Sequence, residues 1–206
     1  MEIKNENRFG KLIAFEGIDN VGKSSHVEEL AKKLKMMNIP CEVAKEMTSP
    51  FGKIIRENLK KSNFSSHLKT LLFAADRVEL VERMVKPCLE KNGIVLADRW
   101  TMSAIVYRTV EGFDVDYVAM VNSKTINPDH IFLLDLPAEL SIKRGESTGK
   151  FTPYSLDFLH KARGEYLRLA KLDNNIEIID GSEDFKKINS HLFERILEII
   201  GSRKQG

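Results

Sequence analysis

Gly17-Ile18-Asp19-Asn20-Val21-Gly22-Lys23-Ser24 fits the pattern G-x-x-x-x-G-K-[ST], and its flanks are the ones the pattern requires. Leu12-Ile13-Ala14-Phe15 reads as a short buried strand before it, and Val27, Leu30, Ala31 and Leu34 recur after it at helical spacing. Strand, glycine-bearing turn and helix together predict a phosphate-binding loop. Its glycines let backbone N–H groups turn onto phosphate oxygens, and the helix N-terminus adds its positive end. The expected cradle is Gly17, Ile18, Asp19, Asn20, Val21, Gly22, Lys23, Ser24 and Ser25. Lys23 reaches the β- and γ-phosphates in such a loop, and the Ser24 hydroxyl ligates Mg²⁺. The chain is therefore expected to bind a nucleoside triphosphate with Mg²⁺.

Outward from the loop, apolar runs at Leu12–Phe15, Cys41–Ala44, Ile94–Ala97, Ile131–Leu134 and Ile176–Ile179 read as strands buried on both faces. Helical patterns lie between them, near Lys23–Met37, Pro50–Lys60, Leu68–Leu89, Val115–Lys124, Tyr154–Leu172 and Glu183–Ile199. The long one is expected to place Leu71, Ala75, Val78, Val85 and Cys88 on one side. This alternation predicts an α/β fold of three layers, a mostly parallel five-stranded sheet between helices. Ligands then bind beyond the carboxyl ends of the strands. Glu46, Asp98, Arg99 and Asp135 all fall at such ends. A single domain over residues 1–206 is expected, with an irregular stretch from Arg144 to Pro153 as a lid.

The composition is that of an ordinary soluble protein, 42% hydrophobic and 30% charged. A net charge of +2 gives no basic excess for binding nucleic acid. Cys41 and Cys88 stand in apolar surroundings and are expected to be free thiols of a reducing compartment. No apolar run reaches the roughly 18 residues of a membrane span, and Met1–Arg8 lacks the apolar stretch of a signal peptide. The expected location is the cytoplasm. The five histidines show no metal-ligand spacing, so Mg²⁺ brought by the nucleotide is the expected metal. There is no G-x-G-x-x-G and no N-K-x-D segment, which argues against a dinucleotide fold and a guanine-reading switch.

Phosphoryl transfer needs positioning and positive charge more than a covalent nucleophile. Asp98-Arg99-Trp100 follows a strand, where the acid can hold Mg²⁺ or its waters and the arginine can clamp a phosphate. Phe73 and Arg77 are four apart on one helical face, a pairing that can stack on a base and bond its edge. Lys143, Arg144, Lys150 and Arg163 lie in or beside the lid, where a cation can offset transition-state charge.

Taken in order, these segments resemble the thymidylate kinase family over nearly the whole chain. Phe15-Glu16-Gly17-Ile18-Asp19 leads into Gly22-Lys23-Ser24-Ser25, followed by Leu71-Leu72-Phe73-Ala74-Ala75-Asp76-Arg77 and by Asp98-Arg99-Trp100 with Ser103 and Tyr107. Pro128–Asp135 and Ile179-Asp180-Gly181 agree in kind and spacing. The resemblance implies transfer of the ATP γ-phosphoryl to the 5′-phosphate of dTMP, and a homodimer acting on small nucleotides. By position, Phe73 stacks on the acceptor base, Arg77 reads its edge and Arg99 holds its phosphate. Tyr107 presses near the sugar 2′ position, with Ser103 and Arg108 beside it, and Glu46 lies near sugar or phosphate. Asp19 and Asp98 arrange Mg²⁺ with Ser24. Arg144 sits by the adenine or the lid hinge, and Lys150 is the lid cation. Asn20, Lys45–Pro50, Ala104 and Arg108 differ from the family's usual wording. A kinase for another nucleotide or nucleoside, or a non-catalytic ATP-binding module, stays open as an alternative.

Overall fold

The computed structural model describes residues 10–59, 64–150 and 152–201. The reading of Met1–Arg8, the expected helix end at Lys60, and Phe151 within the lid lie outside the described residues. The strands are β1 (Lys11–Glu16), β2 (Cys41–Lys45), β3 (Ile94–Asp98), β4 (His130–Asp135) and β5 (Ile176–Asp180). They form one parallel sheet in the order β2-β3-β1-β4-β5. In the three central strands apolar residues follow one another because helices cover both faces, and β3 is buried along its whole length. The edge strands β2 and β5 are only partly covered.

Around the sheet run α1 (Lys23–Met36), α2 (Pro50–Leu59), α3 (Ser66–Leu80), α4 (Lys86–Glu90) and α5 (Thr101–Val110). They are followed by α6 (Val115–Val121), α7 (Ala138–Ser147), α8 (Leu156–Ala170) and α9 (Phe185–Gly201). Among the described residues no helix is long and apolar enough to cross a membrane. Cys41 and Cys88 are free thiols, and burial pushes the Cys41 thiol up to about 12.

The long helix expected over Leu68–Leu89 is interrupted. A π-helical turn, Val81–Val85, joins α3 to α4. Pro87 accounts for it, because it lacks an N–H and its ring displaces the carbonyl four residues earlier, which a wider turn accommodates. The expected apolar face is also rotated. Thr70, Ala74, Arg77, Leu80 and Val81 are buried, whereas Leu71 is 49% exposed. Two helices, α5 and α7, appear where no helical pattern was expected; the buried side of α5 includes Ser103 and Arg108 along with Met102 and Val106, which blurs its apolar period. Residues 144–147, expected in an irregular stretch, form the last turn of α7.

Register places the site. Phe15 and Lys45 both pair with Asp98, so the turns after β1, β2 and β3 emerge together at one end of the sheet. The Arg99 N–H donates to the Phe15 carbonyl at 3.1 Å, closing that end.

Candidate active site

The turn between β1 and α1 begins at Gly17, φ 132°, and ends at Gly22, φ 103°. Both angles lie where a Cβ is strained, and a Cβ on Gly17 would also collide with the Leu134 carbonyl. Asn20 takes φ 58° between them, a conformation that asparagine tolerates. Lys23 is buried, and its Nζ donates to the carbonyls of Gly17 (2.8 Å) and Ile18 (2.6 Å). Burial first, and the Arg99 charge second, bring the Lys23 amine down to about 7 despite Asp98, Asp19 and Glu16 nearby. The site is a place where an added negative charge is strongly favoured.

Ser24 Oγ donates to Asp98 at 2.5 Å, and Lys45 Nζ lies 3.4 Å from the same carboxylate. A hydroxyl and a carboxylate side by side are the sparse, hard-oxygen set that suits Mg²⁺, which keeps several waters and takes few protein ligands. Asp19 is directed elsewhere. Its carboxylate accepts from Arg99, from the Tyr107 hydroxyl (3.1 Å) and from Thr152 Oγ1 (2.7 Å). Burial opposes its ionisation, but Arg99 and then Lys23 outweigh that and hold the carboxyl below its usual range.

Arg99 is in the left-handed region, φ 70°, a costly conformation for a residue with a Cβ. Its guanidinium donates to Asp19, to the Gly17 carbonyl (3.1 Å) and to Ser103 Oγ (3.1 Å), and lies over the Tyr107 ring at 5.2 Å. Beneath it sits Glu16, fully buried, which accepts from the Trp100 N–H (2.8 Å), from the N–H and hydroxyl of Ser103 and from the Tyr166 hydroxyl (3.2 Å). Burial pushes the Glu16 carboxyl up, and Ser103 and Arg99 pull it back.

Two cavities open here. One, of about 450 Å³, runs from Asn20, Lys23, Ser24 and Ser25 to Asp98 and to Lys150. The other, of about 190 Å³, is lined by Phe73 and Arg77 of α3, by Ser103, Ala104, Tyr107 and Arg108 of α5, and by Pro153 and Tyr154. Asp19, Glu46, Met47 and Arg99 border both. Arg77 is 1% exposed; it donates to Glu46 at 2.7 and 3.2 Å and to the Asn122 carbonyl oxygen. Arg108 is paired with Glu111 at 2.7 Å and points a donor at the Ser66 carbonyl, 3.5 Å away.

The fold thus gathers nearly every residue singled out in the sequence. Arg144 stands apart from both cavities, on the side of the loop where its charge reaches His26. Arg163 lines neither cavity, and the Nε–Nη2 edge of its guanidinium is engaged by Asp135 at 2.7 and 2.8 Å. Sequence reasoning gave no role to Glu16, Thr70, Thr152, Pro153 or Tyr154. Glu16 carried a signal, a carboxylate closing an otherwise apolar strand; the lid residues carried none, since only the fold carries them over the second cavity.

The family model described as thymidylate kinase matches residues 15–192 of the chain. A thymidylate kinase of Thermosipho melanesiensis is 36% identical over 91% of this chain and 96% of its own length. A probable thymidylate kinase of Thermococcus kodakarensis is 32% identical over 92% of this chain and 98% of its own. A thymidylate kinase of Thermosipho africanus is 32% identical over 94% of this chain and 98% of its own length.

Proposed function

We infer the division of labour in this cleft from one premise: the chain belongs to the thymidylate kinase family. It is an ATP-dependent phosphotransferase that moves the γ-phosphoryl of ATP to dTMP, giving dTDP and ADP. One observation carries the assignment of residues to that reaction. A polar cavity at the phosphate loop and a more apolar one beside it share Asp19, Glu46, Met47 and Arg99. A donor phosphate in the first and an acceptor phosphate at the mouth of the second would therefore meet, which is the proximity that phosphoryl transfer needs.

The backbone from Gly17 to Ser25 and Lys23 hold the donor phosphates, and Arg144 lies toward the adenine. Ser24 and Asp98 would hold Mg²⁺, with Asp19 as a further acid of the same cavity, and the ion would supply charge neutralisation on the phosphate oxygens. Phe73 stacks on the acceptor base, Arg77 and Arg108 face its edge, and Tyr107 and Ser103 border the sugar. Arg99 and Glu46 frame the acceptor phosphate. Lys150, exposed at the rim of the donor cavity, is the cation that the lid brings to the transferring group. The chain works as a single kinase unit over residues 1–206, with residues 144–153 as its lid.

Two copies pair through the apolar side of α2 and α3. Phe51, Ile54, Leu68 and Leu71 there are between 41 and 49% exposed, a face too apolar to leave in water. Leu71→Glu then gives a monomer by light scattering. The free thiols fit a cytoplasmic enzyme.

The test is ADP formation from Mg-ATP with a panel of monophosphates, and without acceptor. Strong dependence on dTMP is expected; equal turnover without acceptor would overturn the assignment of the second cavity.

A further inference from the structure

We propose that Asp76 is a positioning residue for the acceptor, acting through the loop that carries Glu46 and Met47; this rests on the second cavity being the acceptor site. Asp76 stands next to Arg77 on α3, and it is 0% exposed. A buried carboxylate must be satisfied, and here the partners are specific. Its Oδ2 accepts from the Met47 N–H at 2.7 Å, and its Oδ1 accepts from the Ser49 N–H at 3.2 Å and the Ser49 hydroxyl at 2.5 Å. All three donors belong to the turn after β2. Ser49 Oγ accepts in turn from the Gly52 N–H at 3.2 Å, which ties the start of α2 into the same cluster.

That turn is not at rest. Met47 has φ 63°, a left-handed conformation that a side chain of its size rarely adopts. The bond from its N–H to Asp76 holds it there, along with the one its carbonyl accepts from Arg56. Gly52 lets the segments close on each other, because a Cβ at that position would collide with both Met47 Cα and Asp76 Oδ1. The consequence reaches the cavity directly. Glu46, one residue before Met47, bonds Arg77, one residue after Asp76. Helix and loop are thus stitched twice, by Asp76 on the buried side and by Arg77 on the cavity side. Glu46, Met47 and Arg77 all line the acceptor cavity, so its shape depends on a carboxylate that touches no ligand. None of the three bonds involves a residue that borders only the donor cavity.

The experiment compares Asp76→Asn, Ser49→Ala and Phe73→Ala with the parent by steady-state kinetics in both substrates and by thermal unfolding. Asparagine keeps the shape but turns one acceptor oxygen into a donor, facing an N–H. Asp76→Asn should raise the KM for dTMP about tenfold or more while the KM for ATP stays within about twofold. Ser49→Ala, which removes one of the three bonds, should raise it about threefold. Phe73→Ala, a residue of the cavity wall, should also raise the KM for dTMP. If Asp76→Asn and Ser49→Ala lower the melting temperature but leave the KM for dTMP unchanged while Phe73→Ala raises it, Asp76 is merely structural and the proposal is overturned. If Phe73→Ala leaves it unchanged too, the acceptor site itself is misplaced. Should Asp76→Asn fail to fold, Ser49→Ala decides between the first two outcomes.

Discussion

Asp19 and Arg99 hold each other where the two cavities meet, by an ion pair between the Asp19 carboxylate and the Arg99 guanidinium. A phosphate entering the acceptor cavity has to take over that guanidinium, so the pair competes with the ligand. Removing the charge of Asp19 weakens its hold on Arg99, while the amide oxygen can still accept from Tyr107 and the Thr152 hydroxyl can turn to accept from the new N–H. Asp19→Asn should therefore bind dTMP about three- to tenfold more tightly in the absence of ATP, by calorimetry. Turnover should fall at the same time, since the acid proposed to face Mg²⁺ is lost. An unchanged dTMP affinity would show that the ion pair does not guard the site.

Lys23 predicts a proton movement. Its amine sits at about 7 in the free protein, and phosphate oxygens beside it favour the charged form. Above pH 7 the free amine is mostly neutral, so nucleotide binding recharges it and takes up a proton. At pH 8 uptake should approach about one proton per site, and at pH 6 it should nearly vanish. Calorimetry in two buffers of different ionisation enthalpy measures this directly. Lys23→Ala should abolish both the uptake at pH 8 and turnover; full uptake by that variant would assign the proton to another group.

The sequence was most legible where chemistry demands fixed spacing. The phosphate loop, the strand ends at Asp98 and Arg99, and the pair Phe73 and Arg77 are local patterns, and each appears where its pattern placed it. What stayed hidden depends on through-space partners. Arg163 reads as a lid cation until Asp135, 28 residues earlier in the chain, engages it. The π turn at Val81–Val85 follows from one proline whose effect reaches backwards along the helix. Helix α5 was missed because its inward side carries Ser103, Tyr107 and Arg108 for the cavity rather than a clean apolar stripe.

Arg77 joins binding to stability. With 1% exposure it neutralises Glu46, which is itself nearly buried at 9%. Truncating one member of a buried pair leaves the other charge uncompensated. Arg77→Ala should thus raise the KM for dTMP and also lower unfolding stability by about 3 kcal/mol. In the double variant with Glu46→Gln, part of that stability should return while the KM stays high. Urea unfolding and initial rates separate the two effects; full stability in Arg77→Ala would show that Glu46 finds water instead.

Gly145 governs how closely the lid approaches the loop. A Cβ there would collide with Asn20 Nδ2 and stand 2.7 Å from the Lys150 carbonyl. Gly145→Ala must therefore push the lid, and Lys150 with it, away from the donor cavity. A displacement of this kind should lower kcat by about tenfold or more and leave the KM for dTMP nearly unchanged. An equal effect on both would place Gly145 in acceptor binding instead.

His26, packed behind the phosphate loop, makes the protein sensitive to mild acid. The ring is 2% exposed, stacks on Phe185 at 4.3 Å with 13° between planes, and sits 3.4 Å from the Asn189 amide. Burial first, then the charges of Arg144 and Lys33, bring its basicity down to about 4. In the unfolded chain an imidazole titrates near its ordinary value of about 6.5. Between about pH 6.5 and 4 the unfolded state therefore binds the proton and the folded state does not. The stability His26 contributes is fully present above pH 6.5 and is lost as pH falls through that window, with a limiting slope of about 1.4 kcal/mol per pH unit for one proton. His26→Phe removes the titration and keeps a ring against Phe185, so its unfolding free energy should fall less steeply over the same window. Denaturant curves at half-unit intervals of pH test it. Parallel pH profiles for parent and variant would mean that the imidazole becomes charged inside the fold, with Asn189 turning its amide oxygen toward the ring.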